Sequence, residues 1–316
     1  MNRVAVVGAG AWGTALALHA ARSGREVTLW ARHPDALLAT RRNARLPGAV
    51  LPAGVHVTAT LPEAADAVLL AVPMQHMRSV LQSWRPPAPV VLCMKGLESG
   101  TRLLPAEVLE ALHPGVPSAV LTGPNFAHEI AEGLPAAAVI AASDPALRDM
   151  LLHQLAGPAF RLYGNDDPLG AQLGGAAKNV IAIAAGAVMG AGLGENARAA
   201  LITRGLAELG RLVVALGGRA ETVAGLSGLG DLLLTCTGGA SRNYGLGLEL
   251  GQGAGLATAL GGQSGVTEGV ATAPALVARA AGTELPVCAA VAALLSGDIT
   301  LDLAIASLLA RPRRNE

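Results

Sequence analysis

Aromatic residues make up only 2% of this 316-residue chain: three Trp, two Tyr and two Phe. Any core is therefore built from Ala, Val and Leu, and hydrophobic residues at 52% supply enough of it to exclude a disordered chain. Excess charge of either sign is also missing. Lys+Arg is 23 and Asp+Glu is 23, so nothing argues for a nucleic-acid or anionic-membrane partner. The one basic cluster, Arg311, Arg313 and Arg314, reads as a solvated terminus. Cysteine is scarce. Cys93, Cys236 and Cys288 are far apart and form no CxxC pair, which points to thiols in a reducing cytoplasm. No signal-peptide pattern opens the chain, because Met1-Asn2-Arg3 leads straight into Val4-Ala5-Val6-Val7. The most apolar stretch, 179–194, is interrupted by Gly186, Gly190 and Gly192 and falls short of the ~20 apolar residues of a spanning helix. These absences predict a soluble, cytoplasmic protein with no membrane span.

What is present is organised in two halves, as the length predicts. Short apolar runs (Val4–Val7, Val27–Trp30, Val68–Val72, Val90–Met94 and Ala119–Leu121) alternate with helix-like stretches: Gly13–Arg22, Asp35–Arg45, Gln75–Trp84, Leu103–Leu112 and Phe126–Glu132. That alternation predicts a parallel sheet covered on both faces, which Ala136–Ala142 and Phe160–Tyr163 extend around a helix at Pro145–Leu155. After Asn165-Asp166-Asp167-Pro168 the segments become longer and Ala/Leu-rich. Helices are expected over Leu169–Met189, Ala197–Leu216, Arg242–Leu250, Gly269–Ala281, Val287–Leu295 and Leu301–Leu309. The fold class is thus an α/β doubly wound sheet over 1–165, followed by an all-α domain over 166–316.

Gly8-Ala9-Gly10-Ala11-Trp12-Gly13 follows the first strand and opens the first helix. Gly8 permits the tight turn, Gly10 lets backbone N–H groups approach a pyrophosphate, and Gly13 allows close helix-on-strand packing. This predicts dinucleotide binding. At the end of the second strand no acidic residue stands in the usual ribose-binding place; the sequence reads Trp30-Ala31-Arg32-His33. Arg32 can pair with a 2′-phosphate, which favours NADP(H). It can equally be an exposed loop arginine, and Asp35 keeps NAD(H) open.

The sharpest signal is how little lysine there is. Of the 23 Lys+Arg residues, all but Lys95 and Lys178 are arginine. Arginine does not readily give up a proton, whereas lysine can shift its pKa and act as an acid or base. Lys95 follows a strand at the sheet edge where ligands bind in open α/β folds. Lys178 lies in Gly174-Gly175-Ala176-Ala177-Lys178-Asn179-Val180-Ile181, on a small, apolar helix face. Partial desolvation there would lower its pKa and suit it to proton transfer at a carbonyl oxygen; the alternative is a lysine snorkelling from a helix surface.

Three further segments add polar groups. Thr122-Gly123-Pro124-Asn125-Phe126-Ala127 follows a strand at the same sheet edge. Gly238-Gly239-Ala240-Ser241-Arg242-Asn243 reads as a capped helix start able to cradle a phosphate or oxyanion. Asp231 can orient a lysine, bind a hydroxyl or simply cap a helix, and Thr267-Glu268-Gly269 reads as a cap. The seven histidines show no metal spacing, so no metal is assigned.

These segments, in this order and over nearly the whole chain, resemble the bacterial NAD(P)-dependent glycerol-3-phosphate dehydrogenase family. The lysine helix and Ser241-Arg242-Asn243 are its more specific marks; Gly228-Leu229-Gly230-Asp231 and Thr235-Cys236-Thr237 complete it. The resemblance implies an oxidoreductase interconverting dihydroxyacetone phosphate and sn-glycerol 3-phosphate with NADP(H) or NAD(H), supplying phospholipid synthesis. It implies Lys178 as proton donor or acceptor. Lys95, Gly123, Asn125, Asp231, Ser241, Arg242 and Asn243 would line the substrate. Gly8, Gly10, Ala11, Trp12, Gly13, Arg32, Lys95, Ala127, Arg242, Val266 and Glu268 would contact the cofactor. Ala11 stands where the family often has Ser, leaving only its backbone N–H, and Asn125 stands where Ser or Thr is common. The family is usually dimeric and cytoplasmic. From the residues alone, two alternatives stay open: a related reductase of 3-hydroxyacids or sugar acids, and a non-catalytic dinucleotide sensor.

Overall fold

In the computed structural model, which describes residues 2–262, 265–280 and 282–310, β1 (Arg3–Val7), α1 (Ala11–Arg22) and β2 (Glu26–Trp30) form the opening βαβ unit. α2 (Asp35–Thr40) leads into an antiparallel hairpin of β3 (Arg42–Asn43) and β4 (Leu46–Val50), and then into β5 (Val55–Thr58). The chain continues through β6 (Ala67–Leu70), α3 (Met74–Gln82), β7 (Val90–Leu92), α4 (Pro105–Leu112) and β8 (Ser118–Thr122). It then runs through α5 (Ala127–Glu132), β9 (Ala136–Ala141), α6 (Pro145–Leu155) and β10 (Phe160–Asn165). The large sheet has eight strands in the order β10-β9-β8-β7-β6-β1-β2-β5. Its strand order reverses between β1 and β6, the point where doubly wound sheets open a crevice for ligands. Apolar cores lie on both faces: Leu16, Leu29 and Leu151 on one, Met74, Met77 and Leu81 on the other.

The second half is helical: α7 (Pro168–Gly190), α8 (Gly194–Ala215), α9 (Ala220–Ala224), a π-helical turn (Leu226–Gly230), and α10 (Asp231–Thr237). α11 (Arg242–Gly251), α12 (Leu256–Gly261), α13 (Glu268–Arg279), α14 (Pro286–Ser296) and α15 (Leu301–Leu309) follow. The Rossmann-like sheet followed by a helical half agrees with the expected fold class. α7 starts where Asp167 Oδ1 accepts the Gly170 N–H at 2.8 Å, while Oδ2 accepts the Arg219 N–H at 2.8 Å. Among the described residues, α7 alone is long and apolar enough to cross a membrane, but 89% of its apolar window is buried inside the fold.

α7 and α11 touch backbone to backbone. A Cβ placed on Gly186 would lie 2.0 Å from the Tyr244 carbonyl oxygen, and one on Gly247 would lie 1.9 Å from that of Ile183. Gly190 and Gly251 complete the contact. Two of the three glycines that interrupt the apolar run in sequence, Gly186 and Gly190, are therefore the ones that let a second helix approach.

Several expectations need correction. The helix expected over Asp35–Arg45 stops at Thr40, because Arg41 turns left-handed (φ 57°) and the hairpin begins. The sheet is not wholly parallel: β8 and β9 pair antiparallel, and β10 follows β9. β5, α9, the π-turn, α10 and α12 were not anticipated as elements. The helix expected over Gly269–Ala281 begins at Glu268 and ends at Arg279; Ala281 and the basic tail from 311 onward lie outside the described residues.

Candidate active site

Lys95 comes off the C-terminal end of β7 and Lys178 comes from the middle of α7, yet both reach one carboxylate. Asp231, the first residue of α10 and 0% exposed, places Oδ1 2.5 Å from Lys178 Nζ and Oδ2 2.5 Å from Lys95 Nζ. Lys178 Nζ also donates to Thr235 Oγ1 at 2.9 Å, and that hydroxyl donates to the Asp231 carbonyl oxygen at 2.6 Å. Lys95 Nζ donates to the Gly123 carbonyl oxygen at 3.0 Å. Each ammonium has three N–H donors. Two on each lysine are thus committed, and one on each is left for a ligand. Two cations on one carboxylate leave one positive charge in a low-dielectric setting, which favours an anion. Burial and the neighbouring Lys178 push Lys95 down to about 8, against the opposing pull of Asp231.

The local fold explains how these groups meet. Gly174 and Gly175 on α7 clear the way: a Cβ on Gly174 would lie 2.4 Å from the Ser227 carbonyl oxygen of the π-turn, and one on Gly175 would lie 3.2 Å from Lys95 Cγ. The π-turn runs directly into Asp231. Such turns are rare and common at functional sites. Glu98 fixes the Lys95 loop by accepting both Arg78 nitrogens, at 2.8 and 2.7 Å.

The dinucleotide turn follows β1, at the same end of the parallel strands as the loop that carries Lys95. Gly8 has φ +115°, and a Cβ there would lie 2.8 Å from the Ala71 backbone at the end of β6; one on Gly13 would lie 1.8 Å from the Gly8 carbonyl oxygen. A Cβ on Gly10, by contrast, meets nothing within 4 Å. α1 has no side-chain cap, so the N–H groups of Ala11 and Trp12 are free of intrahelical acceptors. A tight turn, open space at Gly10 and an uncapped helix mouth fit a pyrophosphate. Beside Gly96, in the loop after β7, α13 places two further polar atoms, Glu268 Oε2 and Thr272 Oγ1, both buried without hydrogen-bond partners.

The remaining expected residues are spread over both halves of the chain. Arg32 is exposed just past β2, and Ala127 opens α5. Asn125 Nδ2 donates to the Ala137 carbonyl oxygen at 3.0 Å, and its buried Oδ1 has no partner. Ser241 caps α11 by accepting the Tyr244 N–H at 3.2 Å. Arg242 follows it and interacts electrostatically with Glu268. Asn243 turns inward, donating to Asn179 Oδ1 at 2.9 Å and accepting the Gly269 N–H at 3.0 Å. Val266 is 41% exposed. Thr267 stands at the N-cap of α13 without capping through its hydroxyl. Glu268 instead accepts the Met74 N–H at 3.1 Å, tying α13 to the start of α3; burial raises its pKa. Thr235 was missed as a site residue. Its signal was available, one turn from Asp231 on the same helix face.

A dinucleotide turn at the same sheet end as a partly buried lysine, which shares a carboxylate with a buried one, is the arrangement of a nicotinamide-dependent oxidoreductase. Residues 3–148 match the NAD-dependent glycerol-3-phosphate dehydrogenase N-terminus, and residues 167–306 match the C-terminus of the same family. The chain belongs to the NAD-dependent glycerol-3-phosphate dehydrogenase family. It is 54% identical over 319 residues to a glycerol-3-phosphate dehydrogenase (NAD(P)+) of Gluconobacter oxydans, covering 99% of this chain and 98% of that one. It is 58% identical over 320 residues to the protein of that name from Acidiphilium cryptum, covering 99% and 98%. The crystal structure of glycerol-3-phosphate dehydrogenase from Coxiella burnetii superposes with a TM-score of 0.93 at 38% identity, covering 98% of this chain and 99% of that one.

Proposed function

We propose that this chain is an NAD(P)-dependent glycerol-3-phosphate dehydrogenase, interconverting dihydroxyacetone phosphate and sn-glycerol 3-phosphate and so feeding glycerophospholipid synthesis. The observation that carries the reading is the pair of lysines on Asp231 in a chain that also carries a turn built for a dinucleotide. When bound, the reduced nicotinamide supplies hydride to the ketone carbon. Lys178 donates a proton to the oxygen of that carbon through its uncommitted N–H, and Asp231 and Thr235 hold its ammonium in place. Lys95 adds positive charge where the alkoxide develops. Arg242, at the mouth of α11, grips the substrate phosphate, aided by Ser241 and the helix N-terminus. Asn125 and Gly123 line the substrate, while Asn243 orders the Arg242 turn from inside. Gly8, Gly10, Ala11, Trp12 and Gly13 receive the pyrophosphate, Arg32, exposed just past β2, pairs with a 2′-phosphate, and Ala127, Val266 and Glu268 complete the cofactor contacts.

Residues 1–165 serve as the dinucleotide-binding domain and residues 166–316 as the substrate domain. The enzyme works in the cytoplasm as a homodimer. The test is loss of reduced-nicotinamide absorbance on adding dihydroxyacetone phosphate, run in parallel with NADPH and NADH. No turnover with either cofactor would overturn the reading. Turnover only with carboxylate substrates would favour a hydroxyacid reductase.

A further inference from the structure

The hairpin that replaced the expected helix is fastened to the dinucleotide turn. Asn43 Nδ2 donates to the Ala9 carbonyl oxygen at 3.0 Å and to Thr14 Oγ1 at 2.6 Å, and Asn43 Oδ1 accepts the Arg45 N–H at 2.9 Å. Arg41 locks the base by donating to the carbonyl oxygens of Leu51, Pro52 and Val55. The hairpin tip is Ala44-Arg45, so Arg45 is held beside the GxGxxG turn on a braced support. Its side chain is exposed, and among the described residues no carboxylate forms an ion pair with it. Arg45 also lies near enough to Arg242, on the helical half, for the two positive charges to act on each other. Arg242 has the Glu268 carboxylate to offset its charge, whereas the Arg45 guanidinium has no such partner among the described residues and is open to an anion at the hairpin tip.

We propose that Arg45 is a cofactor-binding residue that closes over the dinucleotide from the hairpin side and pairs with its pyrophosphate, opposite the backbone N–H groups of Ala11 and Trp12. This rests on the dinucleotide reading above. It adds a cation in a place the helix mouth cannot reach, because Ala11 has no hydroxyl to offer.

The test is the dissociation constant of ADP-ribose, measured by calorimetry for the parent, Arg45→Ala and Arg45→Lys, with adenosine and NADPH alongside. A charge-assisted hydrogen bond is worth about one to two decades in affinity. Arg45→Ala should therefore weaken ADP-ribose by roughly ten- to a hundredfold, leave adenosine within about twofold, and be partly rescued by lysine. ADP-ribose and NADPH should weaken together. A loss confined to NADPH would assign the 2′-phosphate instead and overturn the proposal. So would an unchanged ADP-ribose affinity, an equal loss for adenosine, or a raised Michaelis constant for dihydroxyacetone phosphate with cofactor affinity intact. A parent that binds no ADP-ribose would sink the dinucleotide reading itself, whereas a binding parent matched by Arg45→Ala would sink only the role of Arg45.

Discussion

Lys95 and Lys178, the two lysines of the chain, each hold one oxygen of the same buried carboxylate, Asp231. One arrives from the sheet and the other from the longest helix. Their separation is fixed by a group that neither element owns.

Replacing Lys178 with arginine keeps the charge and removes the proton that is readily given up. Lys178→Arg should fold and bind cofactor while turnover falls by ~10²–10⁴-fold, the usual scale of general acid–base catalysis. Steady-state rates beside a thermal melt and a cofactor titration decide it. Near-native turnover would remove Lys178 from the chemistry.

A second expectation concerns pH. Lys95 is pushed down to about 8 from its ordinary 10.5. Its charge, and with it the attraction for an anionic substrate, is present below that value and lost above it. The specificity constant kcat/KM, which reports the free enzyme, should fall as pH rises through about 8. Lys95→Met should be weaker throughout and lack that limb. Stability should run the other way. The folded pKa lies below the unfolded one, so the unfolded chain binds more protons between about 8 and 10.5, and this group's contribution grows as pH rises through that window.

Thr235 gives a third test. Its hydroxyl accepts from Lys178 and donates to the Asp231 backbone. Thr235→Val keeps the shape and removes both bonds. At roughly 1 kcal/mol for a hydrogen bond, kcat should drop by about fivefold or more, with the Michaelis constant for dihydroxyacetone phosphate changing less. An unaltered kcat would mean that Asp231 alone holds the ammonium.

The helix crossing yields a stability prediction with an internal control. Gly247→Ala would put a carbon 1.9 Å from the Ile183 carbonyl oxygen, so α7 and α11 must move apart. Overpacking of this kind costs about 1–3 kcal/mol. The urea midpoint should fall with little change in slope. Gly210→Ala on α8, where an added carbon meets nothing within 4 Å, should be neutral or stabilising by up to about 1 kcal/mol. Equal effects at both positions would refute the close-contact account.

Much of this arrangement could be read from the residues, and the failures have physical causes. The GxGxxG turn carries its own conformational demand, and the rarity of lysine marked Lys95 and Lys178 without any structure. Strand direction was another matter: a continuous apolar run such as 136–141 reads the same in either direction, so the antiparallel pairing of β8 and β9 was invisible. The hairpin was hidden because Arg42–Val50 contains Pro47 and Gly48 and few β-branched residues, and its register depends on Asn43 gripping a distant turn. Asn243 was expected at the substrate because its segment matched. Only the fold reveals that its amide also bonds Asn179 and the Gly269 N–H, with one donor and one acceptor site committed. Thr235 lies one turn from Asp231 on the same face, a signal that shows only once α10 is recognised as a helix.

The glycine contact between α7 and α11 makes the two helices act as a caliper. Lys178 sits on one jaw and Arg242 on the other, and Asn179 and Asn243, the next residue on each, are joined at 2.9 Å. With backbone on backbone at the glycines and one short amide pair beside Lys178 and Arg242, the gap from proton donor to phosphate grip has little room to yield. Under the roles proposed above, a substrate one carbon longer or shorter between carbonyl and phosphate would satisfy one jaw and miss the other. Selection for substrate length would then reside in glycines that touch no substrate at all.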